Sequence, residues 1–142
     1  MIIERISWQQ TIPLRHKVLW PNKTPEFCHL EGDADAWHFG AFINDELIAV
    51  ASIYPSQSSV DRGIGSNMRL RKFAIDDCFQ RQGIGSKVLN EIFSVMKANN
   101  LSSLWCDARE SATLFYEKNG MVKTGERFYK NDVPYYKMVC DV

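Results

Sequence analysis

The segment Gln80–Ser86 constrains the fold of this chain more than any other stretch of its sequence. It follows a strand-like run, Met68–Ile75, and it opens the most periodic helical pattern in the chain, whose apolar residues are Ile84, Val88, Leu89, Ile92, Phe93 and Met96. The segment is therefore predicted to be a strand-to-helix turn. Its two glycines, Gly83 and Gly85, let an anion approach the backbone amides of the first helical turn, where the helix dipole is positive. A phosphate or pyrophosphate is the expected ligand.

This glycine pattern allows two other interpretations. A Rossmann dinucleotide site needs a third glycine, where this chain has Val88, and an acidic residue at the end of a later strand. A tight turn that only packs the helix against the strand needs no ligand, and it stays open as an alternative. The tetrapeptide Gly63–Ser66 repeats the same four letters, but a strand pattern follows it, so it is predicted to be a loop.

Composition restricts the class of protein. With 142 residues, 45% of them hydrophobic and 24% charged, the chain fits one globular domain spanning 1–142. No apolar run reaches membrane-spanning length and the N-terminus lacks a secretory pattern, so we expect a cytoplasmic protein without a membrane partner. A net charge of zero argues against nucleic acid as a partner. Four cysteines without C-x-x-C spacing predict neither a disulfide framework nor a metal site.

The first 35 residues predict one strand, one helix and an irregular segment. Ile2–Ile6 is predicted to be a first strand. Thr11 is the predicted N-cap of a helix that has Pro13 in its first turn and ends before Pro21. The following residues, 22–35, show no regular period and are predicted to be a loop with a short helix.

Strand patterns fill much of the remaining chain. Trp37–Ile43 and Leu47–Tyr54 predict an antiparallel hairpin, and a long polar loop follows over 55–66. Leu104–Ala108 is predicted to be a strand parallel to Met68–Ile75, because a strand-helix-strand unit requires a crossover. The open end of that parallel pair is the expected ligand crevice. A closing hairpin is predicted from two further runs, Val122–Tyr129 and Pro134–Val139.

The strand Met68–Ile75 carries a break in its alternation. Its apolar residues change phase between Leu70 and Phe73, so one extra residue is inserted at Arg71–Lys72, which is the pattern of a β-bulge. A bulged strand can leave backbone groups for an extended ligand to pair with. The alternative is an ordinary buried strand. The basic residues of this strand are predicted to form a solvated face, since no basic helix accompanies them: Arg69, Arg71 and Lys72.

Two motifs and the order of elements resemble the GNAT superfamily of N-acetyltransferases. The spacing Q-x-x-G-x-G over Gln80–Gly85 resembles the acyl-CoA pyrophosphate loop of that family, and Leu114–Met121 resembles the segment that holds a tyrosine facing the coenzyme sulfur. The resemblance implies an α/β (α+β) fold, in which flanking helices cover a mixed, mostly antiparallel sheet with a splayed central parallel strand pair.

The same resemblance implies the cosubstrate and the site. Acetyl-CoA is the expected acyl donor, with no metal, and Tyr116 is the expected general acid on the leaving thiolate. The implied coenzyme-binding residues lie on the bulged strand and in the loop: Phe73, Ala74, Ile75, Arg81, Gln82, Gly83, Ile84, Gly85 and Ser86. The helix of Tyr116 is predicted over Ala112–Asn119, with Ser111 as its cap and Gly120 at its end. A core tyrosine without chemistry is the alternative.

The chain departs from the family pattern in two respects. Arg109 stands where many members have an asparagine, so a guanidinium would replace the amide at that contact and could hold a phosphate or a carbonyl. The two central strands offer no glutamate base. Four residues are candidate bases by chemistry alone, and a water chain to a distant carboxylate would serve equally: Glu26, His38, Glu126 and Asp132.

The expected reaction is direct attack of a primary amine on acetyl-CoA. An alkyl amine has a pKa of about 10.4, so it must lose a proton before it attacks. A ping-pong route through Cys78 or Cys106 is disfavoured because no nearby histidine would activate either thiol. The acceptor is expected to be a small-molecule or peptide amine, and a homodimer is compatible with the sequence. The alternative function is a catalytically silent acyl-CoA-binding module that senses the coenzyme.

Overall fold

The computed structural model describes residues 1–56 and 67–142, which form seven strands and three α-helices. The strands are β1 (Ile2–Ile6), β2 (Trp37–Ile43), β3 (Glu46–Pro55), β4 (Asn67–Ile75), β5 (Ser103–Arg109), β6 (Val122–Lys130) and β7 (Val133–Asp141). The helices are α1 (Trp8–Leu14), α2 (Ile84–Ala98) and α3 (Thr113–Lys118). Within these ranges, no helix is long and apolar enough to cross a membrane. Of the loop predicted over 55–66, Pro55 ends β3, and residues 57–66, with Gly63 and Gly65, lie outside the described residues.

The strands form one sheet in the order β1-β2-β3-β4-β5-β7-β6. β4 and β5 are parallel, and the other pairs with a described register are antiparallel. This sheet confirms the predicted fold class and the parallel pair. Contacts divide the chain into two compact units, the first comprising Met1–Tyr54 with Leu70–Ile92 and the second comprising Pro55–Arg69 with Phe93–Val142.

The first helix of the first unit begins earlier than predicted. The Ser7 hydroxyl accepts a hydrogen bond from the Gln10 amide at 3.2 Å, and the Ser7 amide donates to Gln10 Oε1 at 2.9 Å. This capping box satisfies two amides at the start of α1, so Ser7 is the N-cap and the prediction of Thr11 is wrong. Thr11 is buried inside α1, and Pro13 lies within the helix rather than in its first turn. A π-helical turn, Arg15–Leu19, then continues the chain and ends before Pro21 as predicted.

The predicted hairpin of β2 and β3 is confirmed. Asn44 and Asp45 connect the strands with φ angles of +50° and +66°, as a two-residue turn between antiparallel strands requires. Gly40 on β2 allows a close approach, because a Cβ there would lie 2.7 Å from Leu47 Cδ1. An apolar cluster forms around Leu14, Val50 and Ala74, with Ile6, Val18, Leu19 and Leu47 packed against it.

The predicted irregularity in β4 is also confirmed. The parallel ladder pairs Asn67–Arg69 with Ser103–Trp105, and a side-chain hydrogen bond between Asn67 and Ser103 closes its first rung. Beyond the ladder, Lys72 has a left-handed φ of +57°, which interrupts the extended backbone at the predicted position. Burial does not change phase at this point, because Ala74 is buried in step with Met68 and Leu70. Phe73 and Ile75 are half-buried, so the predicted change of phase holds for the backbone at Lys72 and is wrong for the burial of these side chains.

In the second unit, β6 and β7 form the predicted closing hairpin. Asn131 and Asp132 make its turn with positive φ angles, as at the first hairpin. The register shifts between Thr124 and Phe128, where Gly125 has a φ of +76°. This bulge was not predicted from the sequence, because a glycine within a strand pattern marks either a bulge or a close packing contact.

Candidate functional site

The loop between β4 and α2 has the geometry that anion binding requires. A short 3-10 turn, Asp77–Phe79, follows β4, and the chain then passes through Arg81 and Gly83 with φ angles of +63° and +78°. A Cβ placed on Gly83 would meet no described atom within 4 Å, so the space in front of this glycine is open. The backbone can therefore be approached closely at this point.

The amides of the first turn of α2 follow directly. The Lys87 amide donates to the Gly83 carbonyl at 3.3 Å and begins the hydrogen bonding of the helix. The amides of Ile84 and Gly85 precede it, and as in any α-helix they have no acceptor within the helix itself. Since α2 runs for 15 residues, these amides also stand at the positive end of its dipole. The buried Ile84 side chain, 4% exposed, fixes the helix start in place.

Glutamine side chains hold the shape of this loop. Gln80 Nε2 donates to the Ile75 carbonyl at 3.0 Å and to Asp77 Oδ1 at 3.1 Å, and Gln82 Nε2 donates to the Cys78 carbonyl at 3.3 Å. The glutamine that opens the Q-x-x-G-x-G spacing therefore ties the loop to the end of β4. Gln80 therefore links the loop to β4 and to Asp77, and Gln82 links two parts of the loop to each other.

Asp76 supports the same loop and was not predicted from the sequence. Its carboxylate accepts hydrogen bonds from Lys17 Nζ at 2.7 Å and from the Cys78 amide at 3.0 Å, while its own amide donates to the Ile48 carbonyl at 2.8 Å. The hydrogen bond from Lys17 and that from the Cys78 amide lower the pKa of Asp76. An aspartate followed by a short turn is a cap signal, but its partner on the π-helical turn cannot be found from sequence spacing.

Replacing Gly85 with valine should raise the dissociation constant for coenzyme A at least about tenfold. The branched side chain would stand beside the amides that are predicted to hold the pyrophosphate. Equilibrium titration of the folded variant with coenzyme A measures the effect. Ser94→Val is the matched control, because it places the same side chain on an exposed position of α2 away from its first turn. An unchanged affinity in Gly85→Val would contradict the assignment of the loop.

Tyr116 lies in the second unit, on α3. Its ring is half-buried, and its hydroxyl is a hydrogen-bond partner of the buried Cys106 thiol on β5. Burial, followed by the interaction with Cys106, raises the pKa of Tyr116 above its ordinary value. The hydroxyl therefore keeps its proton at neutral pH, as a general acid must.

The end of α3 fixes the position of this tyrosine. The Met121 amide donates to the Tyr116 carbonyl at 3.0 Å and the Gly120 amide donates to the Glu117 carbonyl at 3.1 Å, which is a Schellman motif. Gly120 has a φ of +96°, so the prediction of a glycine cap at this end is confirmed. The prediction that Ser111 caps the start is wrong, because a 3-10 turn, Glu110–Ala112, precedes α3 and no side chain caps it.

Arg109 lines a small open pocket in the second unit. The pocket has a volume of about 280 Å³, and Arg109 shares its wall with Glu110, Ser111, Val133 and Pro134. Arg109 itself is exposed at the end of β5. A guanidinium in this position can reach a phosphate or carbonyl oxygen with several donors, which an asparagine could do with fewer.

The candidate base His38 is held in a buried network of the first unit. Its Nε2 lies 2.8 Å from the Asp33 carbonyl and its Nδ1 lies 2.6 Å from Ser52 Oγ. Since a carbonyl only accepts, Nε2 carries the proton and Nδ1 accepts from the serine. Burial lowers the pKa of His38. Both ring nitrogens are therefore engaged by the protein, whereas the other candidates are exposed: Glu26, Glu126 and Asp132.

Arg15 is the centre of this network. Its guanidinium donates to both carboxylate oxygens of Asp33, at 2.8 and 3.2 Å, and to Ser52 Oγ, Tyr54 Oη and the Cys28 carbonyl. Burial raises the pKa of Asp33, but the hydrogen bonds from Arg15 and Tyr54 outweigh it and leave the pKa lowered. The sequence does not predict this buried ion pair, because Arg15 lies inside the helix predicted before Pro21 and no sequence spacing links it to Asp33.

Two comparisons by sequence place the chain among known proteins. A family model described as "Acetyltransferase (GNAT) domain" matches residues 22–142. An N-acetyltransferase of Bacillus subtilis (strain 168), named YitI and described as uncharacterized, is 31% identical over 137 residues, which are 93% of this chain and 87% of that protein.

Solved structures show the same fold. The aminoglycoside 6'-N-acetyltransferase from Enterococcus faecium has a TM-score of 0.77 at 15% identity, with 99% of this chain and 97% of that chain covered. A GNAT family acetyltransferase from Elizabethkingia anophelis with acetyl-CoA bound has a TM-score of 0.73 at 19% identity, with 99% and 97% covered. At these identities the likeness is one of fold.

Proposed function

Because the chain belongs to the GNAT acetyltransferase family, it is an acyltransferase that uses acetyl-CoA, and we propose that it transfers the acetyl group to a primary amine by direct attack. The residues that would hold the coenzyme and those that would act on its thiolate lie on β4, on the loop before α2 and on α3.

The observation that carries this proposal is the loop before α2. Three features support pyrophosphate binding at this loop: left-handed backbone at Arg81 and Gly83, open space in front of Gly83, and the amide end of a 15-residue helix. We assign the pyrophosphate to the loop residues Arg81, Gln82, Gly83, Ile84, Gly85 and Ser86. The end of β4, at Phe73, Ala74 and Ile75, is assigned to the amide-rich pantetheine arm.

The chemistry assigned to Tyr116 follows from the reaction. The amine nitrogen, once neutral, attacks the thioester carbon, and the carbon–sulfur bond then breaks to release the coenzyme thiolate. A proton from the Tyr116 hydroxyl converts the thiolate into a thiol, and the proton lost by the amine restores the hydroxyl through solvent. Tyr116 is protonated at neutral pH, and because burial raises its pKa it is a weaker acid than an exposed tyrosine.

The proton of the amine is proposed to leave through water. Both ring nitrogens of His38 are hydrogen-bonded within the protein. The other candidate bases are exposed carboxylates: Glu26, Glu126 and Asp132. A water chain to solvent or to one of these carboxylates needs no dedicated base. We also propose a cytoplasmic site of action, since all four cysteines are free thiols.

Direct attack is favoured over a covalent acetyl-enzyme. Burial raises the pKa of the Cys106 thiol to about 12, so it holds almost no thiolate at neutral pH. Two-substrate initial-rate kinetics tests the scheme: intersecting double-reciprocal lines are expected, together with an unchanged mass of the protein after incubation with acetyl-CoA alone. Parallel lines with an acetylated protein would contradict direct attack, and Cys78→Ala would then show whether the exposed thiol carries the group.

A further inference from the structure

A cluster of three basic side chains surrounds Asp107 on β5. Asp107 Oδ2 accepts from Arg69 Nη2 and from Lys130 Nζ, each at 3.1 Å, and Oδ1 accepts from Lys137 Nζ at 3.2 Å. One carboxylate therefore faces three cations, and these four side chains, Arg69, Asp107, Lys130 and Lys137, together carry a formal charge of +2. Burial raises the pKa of Asp107, but the hydrogen bonds and charges of Lys130 and Lys137 outweigh burial and leave the pKa below its ordinary value. The carboxylate is therefore ionised at neutral pH.

The cluster contains more cations than are needed to neutralise the Asp107 carboxylate. A single ion pair with good geometry neutralises a half-buried carboxylate, and each further cation adds repulsion between like charges. The Lys130 side chain is 44% exposed and the Lys137 side chain 25%, so both ammonium groups reach solvent. Each ammonium has three donors, of which Asp107 takes one.

Trp105 forms the floor of this cluster. Lys137 Nζ lies 3.7 Å and Arg69 Cζ lies 4.7 Å from the centre of the Trp105 ring. These contacts orient both cations beside a flat aromatic surface. Trp105 itself is buried, with 8% of its surface exposed, so its ring supports the two cations from beneath and leaves the ammonium groups of Lys130 and Lys137 as the exposed part of the cluster.

The cluster lies at the end of the parallel ladder, on the face of β5 opposite Cys106 and Tyr116. Arg69 and Trp105 form the last rung of the parallel ladder between β4 and β5, and Asp107 follows two residues later on the same face of β5. Ligands of sheets with parallel strands bind beyond the carboxyl ends of those strands. Cys106 lies between these two residues and points to the opposite face, where it contacts Tyr116.

We infer that the amine acceptor carries a carboxylate, which binds to Lys130 and Lys137 beside Trp105. The inference rests on the proposed function, because it names the acceptor class of that same reaction. A carboxylate restores the charge balance around Asp107 and can receive charge-assisted hydrogen bonds from two ammonium groups. A polycationic amine would meet two excess positive charges and would bind weakly.

Calorimetric titration of the protein loaded with coenzyme A tests this inference without turnover. The probes are N-acetylglycine and N-acetyl-β-alanine, compared with their neutral amides, N-acetylglycinamide and N-acetyl-β-alaninamide. At low ionic strength, at least one carboxylate should bind about tenfold more tightly than its amide. Lys137→Gln should reduce that ratio to about threefold or less. Lys97→Gln removes the same charge at an exposed position of α2 and should leave the ratio unchanged.

Equal binding of carboxylates and amides, or a preference that Lys137→Gln leaves intact, would overturn the inference. Turnover is measured separately with glycine, β-alanine, their amides and 1,3-diaminopropane as amines. Turnover that favours the diamine would overturn the inference while supporting the proposed function. Carboxylate binding that depends on Lys137, without turnover of any amine, would support the anion site and contradict the proposed function.

Discussion

Replacing Tyr116 with phenylalanine should lower kcat by about tenfold to a thousandfold. The substitution keeps the ring and its edge-to-face contact with Phe115, whose centroid is 5.0 Å away, and removes only the hydroxyl. The coenzyme thiolate is a moderate base, so solvent can protonate it slowly in the absence of an acid. The dissociation constant for coenzyme A should stay within about twofold of the original value, because the loop before α2 is unchanged.

Tyr129→Phe is the matched control for this prediction. Tyr129 lies on β6 with 59% of its surface exposed, so loss of its hydroxyl should leave kcat unaltered. The measurement is a single-turnover rate with saturating acetyl-CoA and amine, which separates chemistry from product release. A normal rate in Tyr116→Phe would leave this residue as a packing residue beside Cys106.

Replacing Arg15 with leucine should lower the free energy of unfolding by about 3–5 kcal/mol. The Arg15 and Asp33 side chains are both 0% exposed, so the substitution leaves an ionised carboxylate buried without its cation. It also removes the hydrogen bonds that the Arg15 guanidinium donates to Ser52 Oγ, Tyr54 Oη and the Cys28 carbonyl. Urea denaturation followed by circular dichroism measures the change in unfolding free energy.

Two further variants separate the buried charge from lost packing. The double variant Arg15→Leu with Asp33→Asn should recover part of the lost stability, because it removes the uncompensated charge. Arg127→Gln breaks an ion pair with Glu110 on the exposed surface and should leave the unfolding midpoint nearly unchanged. A loss of stability in Arg127→Gln as large as that in Arg15→Leu would contradict the account of the buried network.

Much of the fold follows from local patterns in the sequence. The strands are predicted from their apolar patterns, and two hairpins and the parallel pair follow from the order of the elements, whereas the pairing of β1 with β2 and of β5 with β7 was not predicted. The hairpin turns contain Asn44–Asp45 and Asn131–Asp132, which accept positive φ angles. The bulge near Lys72 is visible as a change of phase. Helix starts are predicted less well: Ser7 and Thr11 are both good caps, and only the reciprocal bond with Gln10 decides between them.

The ion pairs that support the candidate site join residues that are distant in the sequence, so the sequence does not reveal them. Lys17 and Asp76 are far apart in the chain, as are Arg69 and Asp107, and each pair meets only because the sheet brings its strands and turns together. The prediction that Arg69 belongs to a solvated face missed its position over Trp105. The loop and Tyr116 could be named in advance because each lies within one continuous motif.

The central claim is that this protein acetylates a primary amine with acetyl-CoA. The most direct test incubates the pure protein with acetyl-CoA and a panel of primary amines, measures the release of coenzyme thiol and identifies the product by mass spectrometry. We expect thiol release that depends on the amine, with an equal amount of N-acetylated amine, and a rate of both that is about tenfold to a thousandfold lower in Tyr116→Phe. Tight coenzyme binding without an acetylated product from any amine would contradict it and would favour a silent acyl-CoA-binding module.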